Sequence, residues 1–329
     1  MQETPKNYTW LLIYSSMLHF LVDGLCVCCL YLMVPYMNVT QVVGIFLAYN
    51  VLAFMTQPFT GVSADKCHRQ YLLLLIALIL LGLAVLLAAW VHDAERVSTS
   101  TKVVWGVAAL LGMGNSCFHV WGGKLTAKRT DNDMRCLGVF VSTGALGLSV
   151  GLVYCSWTLL FAFLLLMILL SISCWRHDGE EDRKSEKNIQ QEQKPPQWHI
   201  VVIGVSLVAL VLFVMCRSYV GELFTRGINK THTLVLIIGT TSMLGKMAGG
   251  WVARQFGIIK SMALVLLAAA VCLIGRHDSM VLLLLGIFAI NLTMPVTLYL
   301  ANVVLREKEG LAFGLLAAAL IPGYLLAIW

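Results

Sequence analysis

His19 and Asp23 stand four residues apart in Tyr8–Val34, a run otherwise apolar enough to cross a bilayer, so one helix face carries two titratable groups at membrane depth. Ionisable side chains there are expensive unless they face a bundle interior or a wet cavity, where they mark substrate or proton paths. Burial and a neighbouring cation act in opposite directions on a carboxylate's proton affinity, so Asp23 is suited to changing protonation when its surroundings change. The pair suits proton handling more than bond-making. The chain has no H-E-x-x-H, no paired metal-type cysteine motif and no phosphate-binding loop, so no catalytic residue, metal ligand set or cofactor is expected, and neither an enzyme nor an ATP-driven pump. Asn115 and His119 repeat the four-residue spacing in a later apolar run, as do Asn291 and Pro295.

These residues need apolar helices to hold them. The chain has 329 residues, 59% hydrophobic and only 12% charged, with a mean hydropathy of +0.83, which excludes an ordinary soluble globule. Eleven apolar stretches recur, at 10–34, 39–59, 70–92, 103–123, 136–153, 156–175, 198–219, 233–251, 260–275, 279–300 and 310–329. The chain therefore reads as an all-α polytopic membrane protein. The first stretch is too long and too polar for a removable signal peptide and should remain as a helix. With residue 1 in the cytoplasm, every Lys and Arg except Arg96, Lys102, Arg217, Arg226, Lys230 and Arg276 falls on the cytoplasmic side. The net charge of +6 is thus a topology signal and does not call for nucleic acid. Trp10, Trp90, Trp105, Trp121, Trp157, Trp175, Trp198 and Trp251 fall near span ends, where amphipathic rings prefer to sit. The ten cysteines show no ligand-like spacing and read as small hydrophobes, with neither a disulfide framework nor a metal site.

A charged segment, 176–197, ending in Pro195-Pro196, interrupts the apolar rhythm after six spans. It divides the chain into a six-helix bundle at 1–175, a cytoplasmic linker at 176–197 and a bundle of five spans at 198–329. A local repeat supports the division. Gly61-Val-Ser-Ala-Asp65-Lys66-Cys-His-Arg69 follows span 2, and Gly250-Trp-Val-Ala-Arg254-Gln-Phe-Gly257 follows span 8. Here the chain resembles the major facilitator superfamily, whose loop between spans 2 and 3 carries Gly-x-x-x-Asp-Arg-x-Gly-Arg, repeated more weakly between spans 8 and 9. Lys66 replaces an arginine, His68 replaces the second glycine, and Arg254 stands where aspartate would. The resemblance implies close helix contact at Gly61 and Gly250, and a cytoplasmic gate built from Asp65, Lys66, Arg69 and Arg254. The alternative for either copy is a helix end followed by positive-inside charges. The family has twelve spans, so a twelfth is expected to be missing from this chain.

The resemblance also implies that spans 1, 4, 7 and 10 line a central cavity and that spans 3, 6 and 9 face lipid. The polar residues follow that alternation. Span 1 carries His19 and Asp23, span 4 Asn115 and His119, span 7 Arg217 and Glu222, and span 10 Asn291, whereas Tyr71–Trp90, Trp157–Trp175 and Ser261–Ile274 of spans 3, 6 and 9 carry no ionisable carboxylate or base. Asp23 and His19 are the candidates for proton coupling; Asn115, His119, Arg217, Glu222 and Asn291 are the candidates for the substrate cavity. Each has a structural alternative: His119 bonded to a helix carbonyl, Asn291 bonded to a helix, Arg217 and Glu222 a solvated pair at the outer mouth. Glycines 138, 144, 147 and 151 form a small-residue stripe on span 5 that permits close helix contact.

His19-Phe-Leu-Val-Asp23, Gly112-Met-Gly-Asn-Ser-Cys-Phe118-His119 and Glu309-Gly310-Leu-Ala-Phe313-Gly314 further resemble pieces of fosmidomycin-resistance-type transporters, with Val120 where proline is usual. That implies proton-driven export of a small toxic or amphipathic compound. The expectation is a monomeric, multi-pass secondary transporter in a plasma or cell inner membrane, moving a small organic solute by alternating access with protons as partner. Proton-coupled uptake of an organic anion or nutrient is one alternative, and a transporter-derived receptor or scaffold without turnover is another. Sequons at Asn7, Asn38 and Asn229 bear on this only in a eukaryotic host.

Overall fold

A computed structural model describes residues 9–67, 69, 71–93, 97–185 and 200–328, and all their regular elements are helical. The helices are α1 (Thr9–Met33), α2 (Val39–Asn50), α3 (Gln57–Lys66), α4 (Tyr71–Asp93), α5 (Val97–Arg129), α6 (Met134–Val153) and α7 (Trp157–Ser185), then α8 (Ile200–Thr225), α9 (His232–Phe256), α10 (Ile258–Ile274), α11 (Met280–Val304), α12 (Glu309–Ala318) and α13 (Leu320–Ile328). Among the described residues, nine helical runs are long and apolar enough to cross a membrane, and Trp157–Ser173 and Ile258–Ile274 are shorter apolar helices. Together they account for the eleven spans read from the sequence. Of the charged stretch after span 6, residues 176–185 continue α7, while 186–197 lie outside the described residues, as do Lys6, Asn7, His68 and Arg96.

Span 2 is continuous but irregular. Asn38 caps α2 in a capping box with Gln41, so the amide of that sequon is engaged in starting a helix. Five residues, Val51–Met55, then adopt a π-helical turn before α3 begins with Pro58 in its first turn. Proline has no N–H to donate, and the π turn supplies the local change of register that lets the span continue past it. The turn lies against α5 near Gly112, and Thr56 Oγ1 donates to Ser116 Oγ at 2.8 Å.

One large apolar cluster is contributed mainly by α1, α4, α5, α6 and α7, and a smaller one by α8, α10 and α11. α6 packs along α9, and α3 along α12, so spans 5 and 8 and spans 2 and 11 make the main contacts between two sets of helices, α1–α7 and α8–α13. The second contact depends on bare backbone: a Cβ on Gly61 would strike the carbonyl of Gly310. Toward the outside, α4 presents Leu75, Ile79, Leu83 and Leu86, α7 Leu165 and Leu169, and α10 Leu264, Leu267 and Val271, all exposed, as helices facing lipid require. Along α8 only Val214 and Phe224 are buried. It is apolar on nearly every face and can expose most of its length to hydrocarbon.

The close approach of α3 to α12 is testable. Gly61→Leu should destabilise the purified protein by about 1–3 kcal/mol, the range for overpacking, seen as a lower thermal midpoint. Gly82→Leu on α4 is the control, because nothing lies within 4 Å of the position its Cβ would take. An unchanged midpoint in Gly61→Leu would show that the contact yields freely.

Candidate functional site

Burying a polar side chain in these helices requires partners for it, and α1 and α5 supply them to one another. His19, Asp23, Asn115 and His119 are all buried, none more than 8% exposed, and they meet at one place. Asn115 Nδ2 donates to Asp23 Oδ1 at 3.0 Å. His19 Nε2 lies 3.2 Å from Asp23 Oδ2, and His119 Nε2 lies 3.5 Å from Asp23 Oδ1. The two Nε2 atoms are 2.9 Å apart, with the rings edge to face. The four-residue spacing puts each pair on one face, and packing turns the two faces together.

The far side of each ring fixes its tautomer. His19 Nδ1 is 2.7 Å from the carbonyl of Phe140 on α6, and His119 Nδ1 is 3.0 Å from the carbonyl of Asn115. A carbonyl only accepts, so each Nδ1 carries a hydrogen and donates it. Each neutral ring therefore turns a bare Nε2 lone pair toward the other. At 2.9 Å such a contact holds only with a cation between the two nitrogens, in the simplest case a proton shared beside the Asp23 carboxylate. The ring of His119 is thus bonded to a helix carbonyl on one side and set beside His19 and Asp23 on the other. Gly144 on α6 makes room for the group: a Cβ there would strike Asp23 Oδ2 and His19 Nε2. Read from sequence as part of a packing stripe, this glycine borders the site directly.

Phe313 of α12 closes on the cluster from the other set of helices, its ring 6.4 Å from that of His119 and 6.2 Å from that of Phe140. Lys246, in the middle of α9, is half-buried and sits within the electrostatic reach of His119, Asp23 and Arg217. In the sequence Lys246 counts only toward sidedness; a lysine inside a span, flanked by Gly245 and Gly249, was the available signal. Arg217 Nε is buried without a hydrogen-bond partner among the described residues. The other candidates lie apart. Glu222 approaches Lys230 at 3.9 Å, not Arg217, and Asn291 Nδ2 donates to the carbonyl of Ile287 on its own helix.

The gate candidates divide similarly. The connections α3–α4, α5–α6, α9–α10 and α11–α12 lie at one face of the bundle. There the Asp65 carboxylate accepts the backbone N–H groups of Gly310 and Leu311, each at 2.9 Å, and so caps the start of α12. Lys124 of α5 approaches Asp65 at 3.7 Å and donates to the carbonyl of Ala64, a partner not singled out from the sequence. Lys66 and Arg69 are exposed beside this contact. In the second copy Gly250 abuts the backbone of Met134 and Arg135, and Arg254 meets Asp133 at 3.3 Å. Asp133 also binds Arg135, whose hydrogen bond holds the Asp133 carboxyl below the usual carboxylate range, with Arg254 adding to the effect. A lowered carboxyl contributes stability above its unfolded value and loses it as pH falls through the folded value, so this contact is intact at neutral pH. Asn132, in the left-handed region at φ 58°, joins the same face to α11 by donating to Tyr299 O and accepting from Asn302.

The family model of the Major Facilitator Superfamily matches residues 12–327. A comparison with curated proteins finds no match. Solved structures of similar fold include the E. coli fucose:proton symporter, at 14% identity and a TM-score of 0.62 over 97% of this chain and 90% of that one. A bacterial homologue of the iron transporter ferroportin in an outward-facing state gives 11% identity and a TM-score of 0.62, over 97% and 89% of the two chains. The human organic anion transporter MFSD10 (TETRAN) gives 18% and 0.63, over 98% and 93%.

The Asp65 cap offers a direct test. Asp65→Ala removes the acceptor of two charge-assisted hydrogen bonds, each worth about 1.5–3 kcal/mol. The amides of Gly310 and Leu311 should then lose roughly tenfold or more of their hydrogen-exchange protection, while those of α10 keep theirs. Unchanged protection would mean that the carboxylate does not hold α12.

Proposed function

We propose that this chain, which belongs to the Major Facilitator Superfamily, is a proton-coupled secondary transporter that moves a small organic solute by alternating access. The observation that carries the reading is the contact between two imidazoles and a carboxylate, whose hydrogen-bond logic calls for a cation, beneath a phenylalanine from the opposite helices. A proton in that contact leaves the cluster neutral, one imidazolium balancing Asp23; its departure leaves two facing lone pairs and an exposed carboxylate charge. The rings must then separate, and the helices that carry them with it. α12 is suited to transmit the change, because it carries Phe313 against His119 and is held at its start by Asp65.

The hydrogen bonds between the two sets of helices gather at the face that the Lys and Arg distribution assigns to the cytoplasm. On this reading the conformation is closed to the cytoplasm, and the amino terminus is cytoplasmic. Lys246 and Arg217 favour an anionic solute, since neither makes a direct ion pair among the described residues. That observation gives weight to the organic-anion reading. The resemblance of the His19, His119 and Phe313 segments to fosmidomycin-resistance-type transporters favours export; uptake is the alternative direction.

Reconstitution into proteoliposomes with an imposed pH gradient tests the proposal, using a panel of organic anions, phosphonates and lipophilic cations. Wild-type protein should accumulate at least one compound when the gradient is imposed. Asp23→Asn should lose gradient-driven flux by about tenfold or more, the usual scale for removing a group that handles the proton, while still exchanging the same compound at equilibrium. Gradient-driven flux that survives in Asp23→Asn removes Asp23 from coupling. A well-folded wild type that binds compounds without moving them points to a receptor.

A further inference from the structure

The bare nitrogens that accommodate a proton also have the form of a metal site. We infer that His19, Asp23 and His119 bind a first-row divalent cation of the Zn2+ class in the place otherwise taken by the shared proton. The inference uses the same site as the transport proposal but rests on its geometry alone.

A tetrahedral Zn2+ with ligands about 2.0–2.2 Å away has ligand atoms separated by roughly 3.3 Å along each edge. The two ring nitrogens and the carboxylate stand at close to that spacing, each ring facing a different oxygen of Asp23. Nε2 to Nε2 is 2.9 Å, His19 Nε2 to Asp23 Oδ2 is 3.2 Å and His119 Nε2 to Asp23 Oδ1 is 3.5 Å. The His, Asp and His ligand atoms all lie within 4.8 Å of one another, and all three residues are buried. Two imidazoles and one carboxylate suit Zn2+, Co2+, Ni2+ or Fe2+ better than Mg2+ or Ca2+, which prefer sites made wholly of oxygen.

The groups behind these ligands have the arrangement that metal sites need. A ligating histidine ordinarily donates its other ring N–H to a carbonyl or carboxylate, which fixes the tautomer and orients the ring. Here both rings do so, His19 to Phe140 O and His119 to Asn115 O. The carboxylate is held in turn by Asn115 Nδ2, and Asn115 Oδ1 is itself buried without a partner. Three of the four ligand vertices come from the protein, so the fourth is left to water or to a solute. A 2+ ion facing one carboxylate leaves a net positive site, and Lys246 nearby adds to it, so an anion in that position is electrostatically favoured.

The test uses the full chain purified in detergent and Co2+ as the probe, because the visible absorption of bound Co2+ reports low coordination number directly. Wild type should bind one Co2+ per chain saturably, with intense d–d bands that Zn2+ abolishes on displacing it. His19→Gln and His119→Gln should each weaken binding by about tenfold or more, while His277→Gln, at an exposed loop histidine, should bind as wild type does. Thermal unfolding without metal identifies any variant that has lost its fold, and Asn115→Leu supplies a further variant that leaves all three ligands in place but removes their support. It should weaken binding by roughly 10–100-fold. Absence of saturable Co2+ absorption in wild type, or absorption that survives in both histidine variants, would overturn the inference and leave the contact to a proton. Binding does not depend on flux: a chain that transports without binding Co2+ sinks the cation inference alone, and one that binds Co2+ without transporting sinks the transport proposal alone.

Discussion

Two imidazole lone pairs turned toward one another inside a bilayer are an unfavourable arrangement unless something positive lies between them. The surrounding structure is shaped by that constraint. The carbonyls of Phe140 and Asn115 take the Nδ1 hydrogens and so rule out the tautomers that would relieve it. Asn115 fixes the carboxylate that balances the positive charge. Gly144 is bare because a methyl group would occupy the same space as the cluster. Each of these groups is a local choice, yet all concern one contact, and in a medium of low dielectric a half-satisfied network is worse than an apolar core.

The cluster matters beyond α1 and α5 because of what rests on it. α12 reaches it through Phe313, and the same short helix is anchored one turn earlier by the Asp65 carboxylate. Both anchors act on ten residues, so a change in ring separation and a change at the Asp65 contact bear on one short helix. Close approach at Gly61 and Gly314 makes that element sensitive, since the backbones of α3 and α12 already touch. On the opposite contact, α6 carries the Phe140 carbonyl that orients His19 and also packs along α9, the helix of Lys246. The two interfaces between the sets of helices therefore both include a residue that touches the cluster.

Much of this was legible in the sequence, and the limits have physical causes. Hydropathy locates the spans because a bilayer leaves few alternatives to a helix. Polar residues in otherwise apolar runs mark His19, Asp23, Asn115 and His119, since the spacing of four is a local property. What spacing within one helix does not contain is which face meets which. The pairing of α1 with α5, and the carbonyl of Phe140 behind His19, depend on packing across more than a hundred residues of sequence. Lys124 was visible as a charge but not as a partner, because a basic residue near a span end reads equally well as a topology signal; Lys246 lies inside its span, and its sequence does not say which helix it faces. The π turn at Val51–Met55 had a trace in Pro58, although a proline alone does not say whether a helix kinks, ends or widens.

The distribution of charge across the two sets of helices bears on the order of events in a transport cycle. With its shared proton, the His19–Asp23–His119 group on α1 and α5 is balanced, while Lys246 and Arg217 on α9 and α8 bring positive charge without a directly paired carboxylate among the described residues. In the proposed cycle, closing both sides over these groups removes water from an excess of positive charge, which is unfavourable. An anionic solute between the two sets of helices lowers that excess. Loss of the proton lowers it further but breaks the contact between the rings. On the proposed reading, solute and proton therefore each change the cost of closing the site, and that shared dependence is what couples their movements in either direction.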